Sequence, residues 1–197
     1  MKQSKGFTLV ELIVVIGIIV ILAAILIAAL NPNELIKRAR DTRRMNDLAA
    51  LNRALAFYLA DVDYPNLTNS STPNAGCTGT AAAIAYLSAS SSISISGWAT
   101  TTKALRTVDG TGWVPVNFTS ITGGSPLGQL PVDPLNDNKY FYIYACSINP
   151  ALTYELNARL ESSKYIGLMA STSDGGNNDN AYEVGTKLDI LPNFSWP

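Results

Sequence analysis

The longest apolar run of the chain lies close to its first residue. Residues 12–30 follow one another without a charge or a proline, and nineteen residues in a helix cross the ~30 Å hydrocarbon core of a bilayer. Glu11 stands at the start of this run, where a carboxylate is costly in lipid and is therefore a functional candidate. The pattern predicts a membrane-spanning helix over residues 7–31 with one ionisable group near its beginning.

After this run the pattern changes from continuously apolar to periodic. Asn31, Pro32 and Asn33 interrupt it, and Pro32 is expected to kink or open the helix because it removes a backbone donor. Apolar residues then recur at three- and four-residue steps to about Ala60, which marks one helix face for packing. That face comprises Leu48, Leu51, Leu55, Tyr58, Leu59 and Val62. We therefore predict an amphipathic continuation of the helix over residues 32–65.

Alternation of side chains at every second position marks strands in the last third of the chain. This alternation is found in residues 140–146 and 153–160, and an Asn-Pro turn at residues 149–150 lies between the two segments. We therefore expect an antiparallel hairpin. The apolar face of the hairpin should pack against the amphipathic helix. Residues 165–169 and 181–184 are weaker strand candidates.

Residues 66–139 are predicted to be a Ser/Thr-rich connecting region. Ser and Thr make up 21 of its first sixty residues, and residues 81–87 are its one helical patch. Residues 112–117 and 130–134 are predicted turns that return the chain to the core. The elements together predict an α+β fold, in which a long N-terminal helix packs its amphipathic half on a small antiparallel sheet within residues 140–197.

Positions 6–11, at the start of the apolar run, read Gly-Phe-Thr-Leu-Val-Glu. This segment resembles the processing site of type IV prepilins and type II secretion pseudopilins. A secretory signal has its small residues after the apolar core, whereas Gly6 precedes it here. The resemblance implies that residues 1–6 are a leader, that a prepilin peptidase cuts after Gly6 and methylates Phe7, and that Glu11 is the assembly glutamate.

A charge argument supports this interpretation of Glu11. Cleavage would create an α-ammonium group at Phe7, and a charge pair in a low dielectric costs far less than a lone charge. The pair would form within one chain, since residues four apart share a helix face, or between Glu11 of one subunit and the N-terminus of the next. The second arrangement would set the register of a helical filament.

Composition narrows the classes of function. The chain has 197 residues, which is enough for one helix and a modest domain. It contains no histidine, and this excludes histidine-dependent triads and imidazole metal sites. No nucleophile–base set is recognisable, so we expect no enzyme. We expect a structural subunit of a type IV pilus or type II secretion pseudopilus; a minor pilin with an adhesive or DNA-binding head is the alternative, and a membrane-anchored enzyme is less favoured.

The resemblance also implies partners and a location. The partners would be copies of the chain, the prepilin peptidase, the membrane-embedded assembly machinery and, before assembly, the lipid bilayer. The precursor would cross the cytoplasmic membrane once, with the head outside, and would end in a surface or extracellular filament. More Lys and Arg follow the apolar run than precede it, so the positive-inside rule favours the opposite orientation.

Basic residues cluster in the first half of the amphipathic helix. They are Lys37, Arg38, Arg40, Arg43, Arg44 and Arg53, against Glu34, Asp41 and Asp47. The cluster is compatible with a solvated helix that contains ion pairs such as Asp41–Arg44, with attraction to phosphate headgroups or acidic neighbours, and with nucleic-acid binding. Residues 64–197 hold six basic and nine acidic side chains, so we expect no nucleic acid to bind the head.

The two cysteines, Cys77 and Cys146, lie far apart in the sequence. In an exported domain they predict one disulfide, and two reduced buried thiols are the alternative.

Residues 173–180, Ser-Asp-Gly-Gly-Asn-Asn-Asp-Asn, are rich in the oxygen ligands that calcium needs. Major pseudopilins carry a calcium loop of comparable composition near the C-terminus. The resemblance therefore suggests a structural calcium site, and the alternative is an ordinary turn. The candidate ligands are Asp174, Asn177, Asn178 and Asp179. We expect no required cofactor.

Overall fold

The structure is a computed structural model that describes residues 6–79, 83–95, 97–169 and 171–196, with the side chains of 28–30 and 171–172 left out. The first five residues of the predicted leader lie outside this description. The chain divides into two compact units, Met1–Lys37 and Arg38–Pro197, and we call the second unit the head.

Two helices occupy the N-terminal part of the chain. Helix α1 spans Leu9–Leu30, and its C-cap residue Asn31 has a φ of 43°, a left-handed conformation that asparagine tolerates. Helix α2 spans Pro32–Asp61 and begins on the proline, whose missing N–H is no loss at the first position of a helix. The predicted interruption at residues 31–33 is therefore a break between two helices.

Five strands of the head form one sheet. The strand order is β2-β1-β3-β4-β5, in which β1 and β2 are parallel and every other pair is antiparallel. The predicted hairpin is confirmed, since β3 and β4 pair over six residues each, and the predicted strand at 181–184 is confirmed by β5. The strands are β1 Ile84–Leu87, β2 Ala99–Thr102, β3 Tyr142–Ser147, β4 Thr153–Ala158 and β5 Tyr182–Gly185.

Two local predictions are wrong. The helix predicted over residues 81–87 is strand β1 in its described part, because pairing with β2 and β3 overrides the helix propensity of its alanines. The strand predicted over residues 165–169 is a 3₁₀ helix, Ile166–Met169. The sheet thus draws two strands from the predicted connecting region, which also contains the 3₁₀ helix Phe118–Ser120. A short helix α3 follows at Ser171–Asp174.

Helix α2 covers one face of the sheet. The helix face predicted from sequence is confirmed, because Leu48, Leu51, Leu55 and Tyr58 are buried in one cluster with side chains of β3 and β4. The two predicted turn segments contribute to the same core. Their buried residues are Trp113, Val114, Val116 and Leu130. The α+β class predicted from the sequence is confirmed.

The C-terminal segment covers the opposite face of the sheet. Leu191, Phe194 and Trp196 pack there with Phe141 and with Ile143 of β3 in a second cluster. All six residues of β3 are buried as a result. The polar face of β4 is buried as well, although its polar sequence is typical of a solvent-facing surface.

Candidate functional site

The N-terminal residues form a tight cap at the start of α1. The Thr8 hydroxyl accepts a hydrogen bond from the Glu11 amide at 3.2 Å. The Glu11 carboxylate accepts hydrogen bonds from the Thr8 amide at 2.8 Å and from the Thr8 hydroxyl at 2.7 Å. This reciprocal arrangement is a capping box, which satisfies otherwise unpaired amides at the helix start. The carboxylate predicted to act in assembly is thus held by its own chain.

The two predicted processing residues are open to solvent. Phe7 is 84% exposed, and a Cβ atom added at Gly6 would meet no atom of the described residues within 4 Å. Packing against the described residues therefore does not require glycine at position 6. A requirement for glycine there would come from a partner that recognises the segment.

The surface of α1 is apolar and uncovered. Leu9–Ile27 is long and apolar enough to cross a membrane, and no residue of its most apolar stretch is buried. Within the described residues, Gly17 likewise has no atom within 4 Å of an added Cβ. A surface of this kind is stable in lipid or against other apolar helices, and not in water.

The predicted disulfide partners lie together in the head. Cys77 is bonded to Cys146 of β3 across 69 residues of sequence, and both are fully buried in the core beneath α2. The bond joins the segment after α2 to the centre of the sheet.

A buried ion-pair network that the sequence did not reveal joins α2 to the rest of the head. Arg44 is fully buried and donates to both carboxylate oxygens of Asp133, at 2.6 and 3.0 Å. It also donates to Asp41 at 2.8 Å and to Glu161 at 2.7 Å. Arg40 adds a second donor to Glu161 at 2.7 Å. The predicted Asp41–Arg44 ion pair is confirmed at 2.8 Å, but both side chains are fully buried, so the interpretation of the helix surface as solvated is wrong for these two residues.

The network also sets the charge states of its members. Burial alone would lower the pKa of Arg44, but its hydrogen bonds and attraction to Asp133 and the other carboxylates raise that pKa above its usual value. Burial would raise the pKa of Glu161, yet the hydrogen bonds from Arg40 and Arg44 lower it. Arg44 and Glu161 therefore stay ionised at neutral pH. The signal available in the sequence was Asp133, within the Leu-Pro-Val-Asp-Pro turn at 130–134.

The four candidate calcium ligands lie in one loop, and several of their polar groups are hydrogen-bonded within the chain, although Oδ1 of Asn177 is buried without a partner. Asp174 accepts hydrogen bonds from the amides of Gly176 and Glu183, both at 3.0 Å. Asn178 accepts from the amide of Asn180 and is fully buried, and Asn177 donates to a backbone carbonyl. The part of the chain that the structure describes contains no group of three Asp, Glu, His or Cys residues arranged for a metal ion. The loop site, which also includes Asp179, stays a prediction.

Comparison with known proteins identifies the N-terminal segment. Residues 1–27 match the family model described as the prokaryotic N-terminal methylation motif, which is the prepilin-type cleavage and methylation motif of type IV pilins and pseudopilins. No curated protein and no solved structure matches the chain. The match covers the first 27 of 197 residues and does not reach the head. Together with the apolar helix and the α+β, pilin-like head, it supports a pilin- or pseudopilin-type precursor. The motif points to a structural family that is generally without enzymatic activity.

Proposed function

We propose that this chain is the structural subunit of a helical filament, either a type IV pilus or a type II secretion pseudopilus. The observation that carries the proposal is the combination of the methylation motif with an apolar helix α1 that is exposed along its whole described length. Within lipid such a helix is an anchor, and in a bundle of identical helices it is a core. One surface thus serves both the precursor and the assembled state.

Processing would expose the assembly group. Cleavage after Gly6 would make Phe7 the first residue and would place its α-ammonium next to the Thr8–Glu11 cap. Glu11 would then exchange its own capping contacts for the ammonium group of a neighbouring subunit. A subunit that entered the filament at the wrong height would leave this carboxylate unpaired in an apolar bundle, which is strongly unfavourable. The pairing would therefore select the register.

In this proposal the precursor crosses the cytoplasmic membrane once and keeps the head outside. The disulfide supports this orientation, because disulfides form and persist in oxidising compartments outside the cytoplasm. The positive-inside count points the other way, but several of the basic residues it includes belong to the head's own ion pairs. Arg40 and Arg44 bind Glu161 and Asp133 and are not free to interact with a membrane surface.

Two substitutions at Glu11 test the proposal. Glu11→Gln removes the charge but keeps a side chain that can cap the helix, whereas Glu11→Ala removes both. Pairing between subunits requires the charge, so both variants should insert, be processed normally and form far fewer filaments. The measurement is the amount of the chain in sheared surface filaments, or in pseudopili of an overexpressing strain, relative to membrane protein.

The control is Glu34→Gln, which removes a carboxylate from the start of α2 outside the apolar run. It should leave filament formation unchanged. Normal filaments from Glu11→Gln would reduce Glu11 to a helix cap and contradict its role in register. Absence of the chain from any filament, with the wild-type sequence and an active assembly system, would contradict the proposed function itself.

A further inference from the structure

A small groove lies between α2 and the loop that follows the 3₁₀ helix Phe118–Ser120. Its volume is about 290 Å³. Sites for small molecules usually enclose about 300–1,000 Å³, so this groove suits one side chain of a partner better than a free ligand. Its walls are mostly apolar and include one basic residue. They are formed by Ala50, Arg53, Ala54 and Phe57 of α2 and by Pro126 and Leu127 of the loop.

Hydrogen bonds hold the loop wall of the groove in place. Asp61, the last residue of α2, accepts a hydrogen bond from the amide of Thr122 at 2.7 Å. The Ser125 hydroxyl donates to the carbonyl of Leu127 at 2.7 Å and accepts from its amide at 3.2 Å. Leu127 also packs against the core beneath α2. The groove is therefore formed before any partner arrives, which lowers the entropic cost of filling it.

The α2 wall of the groove defines what would fill it. Phe57 is 63% exposed, although it is a large apolar side chain. Arg53 is exposed and takes part in no ion pair among the residues that the structure describes. An apolar or aromatic side chain would cover Phe57, and a carboxylate next to it would compensate Arg53.

The segment just after α2 carries both of these groups. Tyr64 is 94% exposed, which is the largest value among the exposed apolar side chains of the head, so it does not fill the groove of its own chain. Asp63 precedes it, is exposed as well, and has no ion-pair partner within the described ranges. Tyrosine is among the residues that most often anchor protein interfaces.

Other exposed apolar residues of the head fit the groove less well. Leu105 and Ile166 each lie within two residues of a basic side chain, which Arg53 would repel. Leu135 has Asp137 nearby, but this carboxylate already accepts hydrogen bonds from two backbone amides, at 2.8 and 2.7 Å. The charge pattern thus favours the segment at residues 63–64.

We propose that Tyr64 of one copy of the chain occupies this groove on a second copy, with its Asp63 paired to Arg53 of that copy. The inference rests on the proposed filament function and names one contact between heads. The groove and Tyr64 are different surfaces of the same chain, so the contact is heterologous. Such a contact repeats from copy to copy, and it generates an open helical assembly where the rotation does not close a ring.

Charge reversal in the full chain tests the pairing. Arg53→Asp and Asp63→Arg each bring like charges together, so each should lower the amount of chain in sheared filaments at least ~5-fold relative to membrane protein. The double variant Arg53→Asp/Asp63→Arg restores opposite charges and should recover most of the filaments. Recovery of this kind would not follow if either residue acted only within its own head.

The matched control is Lys103→Asp, which makes the same charge change at an exposed residue outside the groove and should leave filaments normal. Normal filaments from either single reversal, or no recovery in the double variant, would overturn the proposal. Loss in Arg53→Asp alone would show that the groove receives a different chain, which overturns it as well. Wild-type filaments in the same experiment would leave the proposed function intact, and their absence would contradict that function.

The aromatic side chain is tested separately. Tyr64→Ala empties the groove and should reduce filaments, whereas Tyr64→Phe keeps the ring and should preserve them. Both should leave urea unfolding of the head unchanged, because the side chain is 94% exposed. Leu135→Ala removes another exposed apolar side chain as the control and should form normal filaments. Normal filaments from Tyr64→Ala, or a matching loss of head stability in that variant, would contradict the contact.

Discussion

The N-terminal helix and the head differ in what their apolar side chains contact. The apolar side chains of α1 are exposed; Ile16, for example, has an exposed fraction of 51%. In the head, the exposed fractions of Leu55 and Trp113 are 0% and 1%. Burial of apolar surface is the main favourable contribution to folding. The head therefore carries its own stabilisation, and α1 gains comparable stabilisation from lipid or from other chains.

This difference makes assembly and head stability separable. A change in α1 or its leader should alter insertion, processing or filament formation and leave unfolding of the head unchanged. A change in the buried head should lower the stability of the head and leave insertion and processing unchanged. Filament formation would then fall only as far as less folded chain is available.

The largest effect is expected at the processing site. Gly6→Leu should block cleavage completely, so intact-mass analysis of membrane extracts should show a chain that retains residues 1–6 and is absent from filaments. Packing against the described residues does not account for such a loss, because a Cβ atom added at Gly6 meets none of their atoms within 4 Å. The matched control is Gly17→Leu, at an equally open glycine inside α1. Normal cleavage of Gly6→Leu would remove the processing assignment.

The next effect concerns the ion-pair network of the head. Arg44→Met keeps much of the volume but leaves the buried carboxylates of Asp133 and Asp41 without their basic partner, which should cost about 3–5 kcal/mol of unfolding free energy. The measurement is urea unfolding of the full chain in detergent, followed by near-UV circular dichroism. The control is Arg43→Met, the same substitution at the neighbouring residue of α2.

The control has a clear physical basis. The Arg43 side chain is 60% exposed and lies 3.8 Å from Asp47, so its removal should cost about 0–1 kcal/mol. Similar losses in the two variants would show that the buried network contributes no more than a surface pair.

The disulfide should contribute somewhat less. Cys77→Ser/Cys146→Ser opens a link across 69 residues and should lower the unfolding free energy by about 2–4 kcal/mol, through the greater freedom of the unfolded chain. The same urea titration measures it, with reductant added to the wild-type chain as an independent route to the same state. Alkylation of both cysteines in the denatured, unreduced wild-type protein would show that the bond is absent in the cell.

The elements that were predictable from the sequence are those with local patterns. The apolar run of α1, the three- and four-residue period of α2, the alternation in the β3–β4 hairpin and the interruption at residues 31–33 each depend on neighbouring residues, and all were confirmed. Strand β1 was not predictable in this way. The alanine-rich segment 81–87 that contains it favours a helix locally, whereas its state is decided by pairing with β3, more than fifty residues later.

The sites divide in the same way. Gly6, Phe7 and Glu11 form a contiguous motif, so a sequence reveals them together. Arg44 meets Asp133 and Glu161 across 89 and 117 residues, and no local pattern indicates such contacts. Glu155 and Asn157 alternate with apolar residues as on a solvent-facing strand, and only the C-terminal segment packed above them makes them buried.

The smallest effect on head stability is expected from a substitution inside α1. Such a substitution tests directly whether α1 and the head are stabilised separately. Ile16→Ala removes a large apolar side chain that is 51% exposed, so urea unfolding of the head should change by less than ~0.5 kcal/mol. The same variant should reduce the amount of filament, because packing between helices would lose that contact area. Leu55→Ala is the paired variant: it deletes a fully buried side chain and should cost about 2–5 kcal/mol. A loss of head stability in Ile16→Ala comparable to that in Leu55→Ala would show that α1 stabilises the head, and the separation of the two regions would then be wrong.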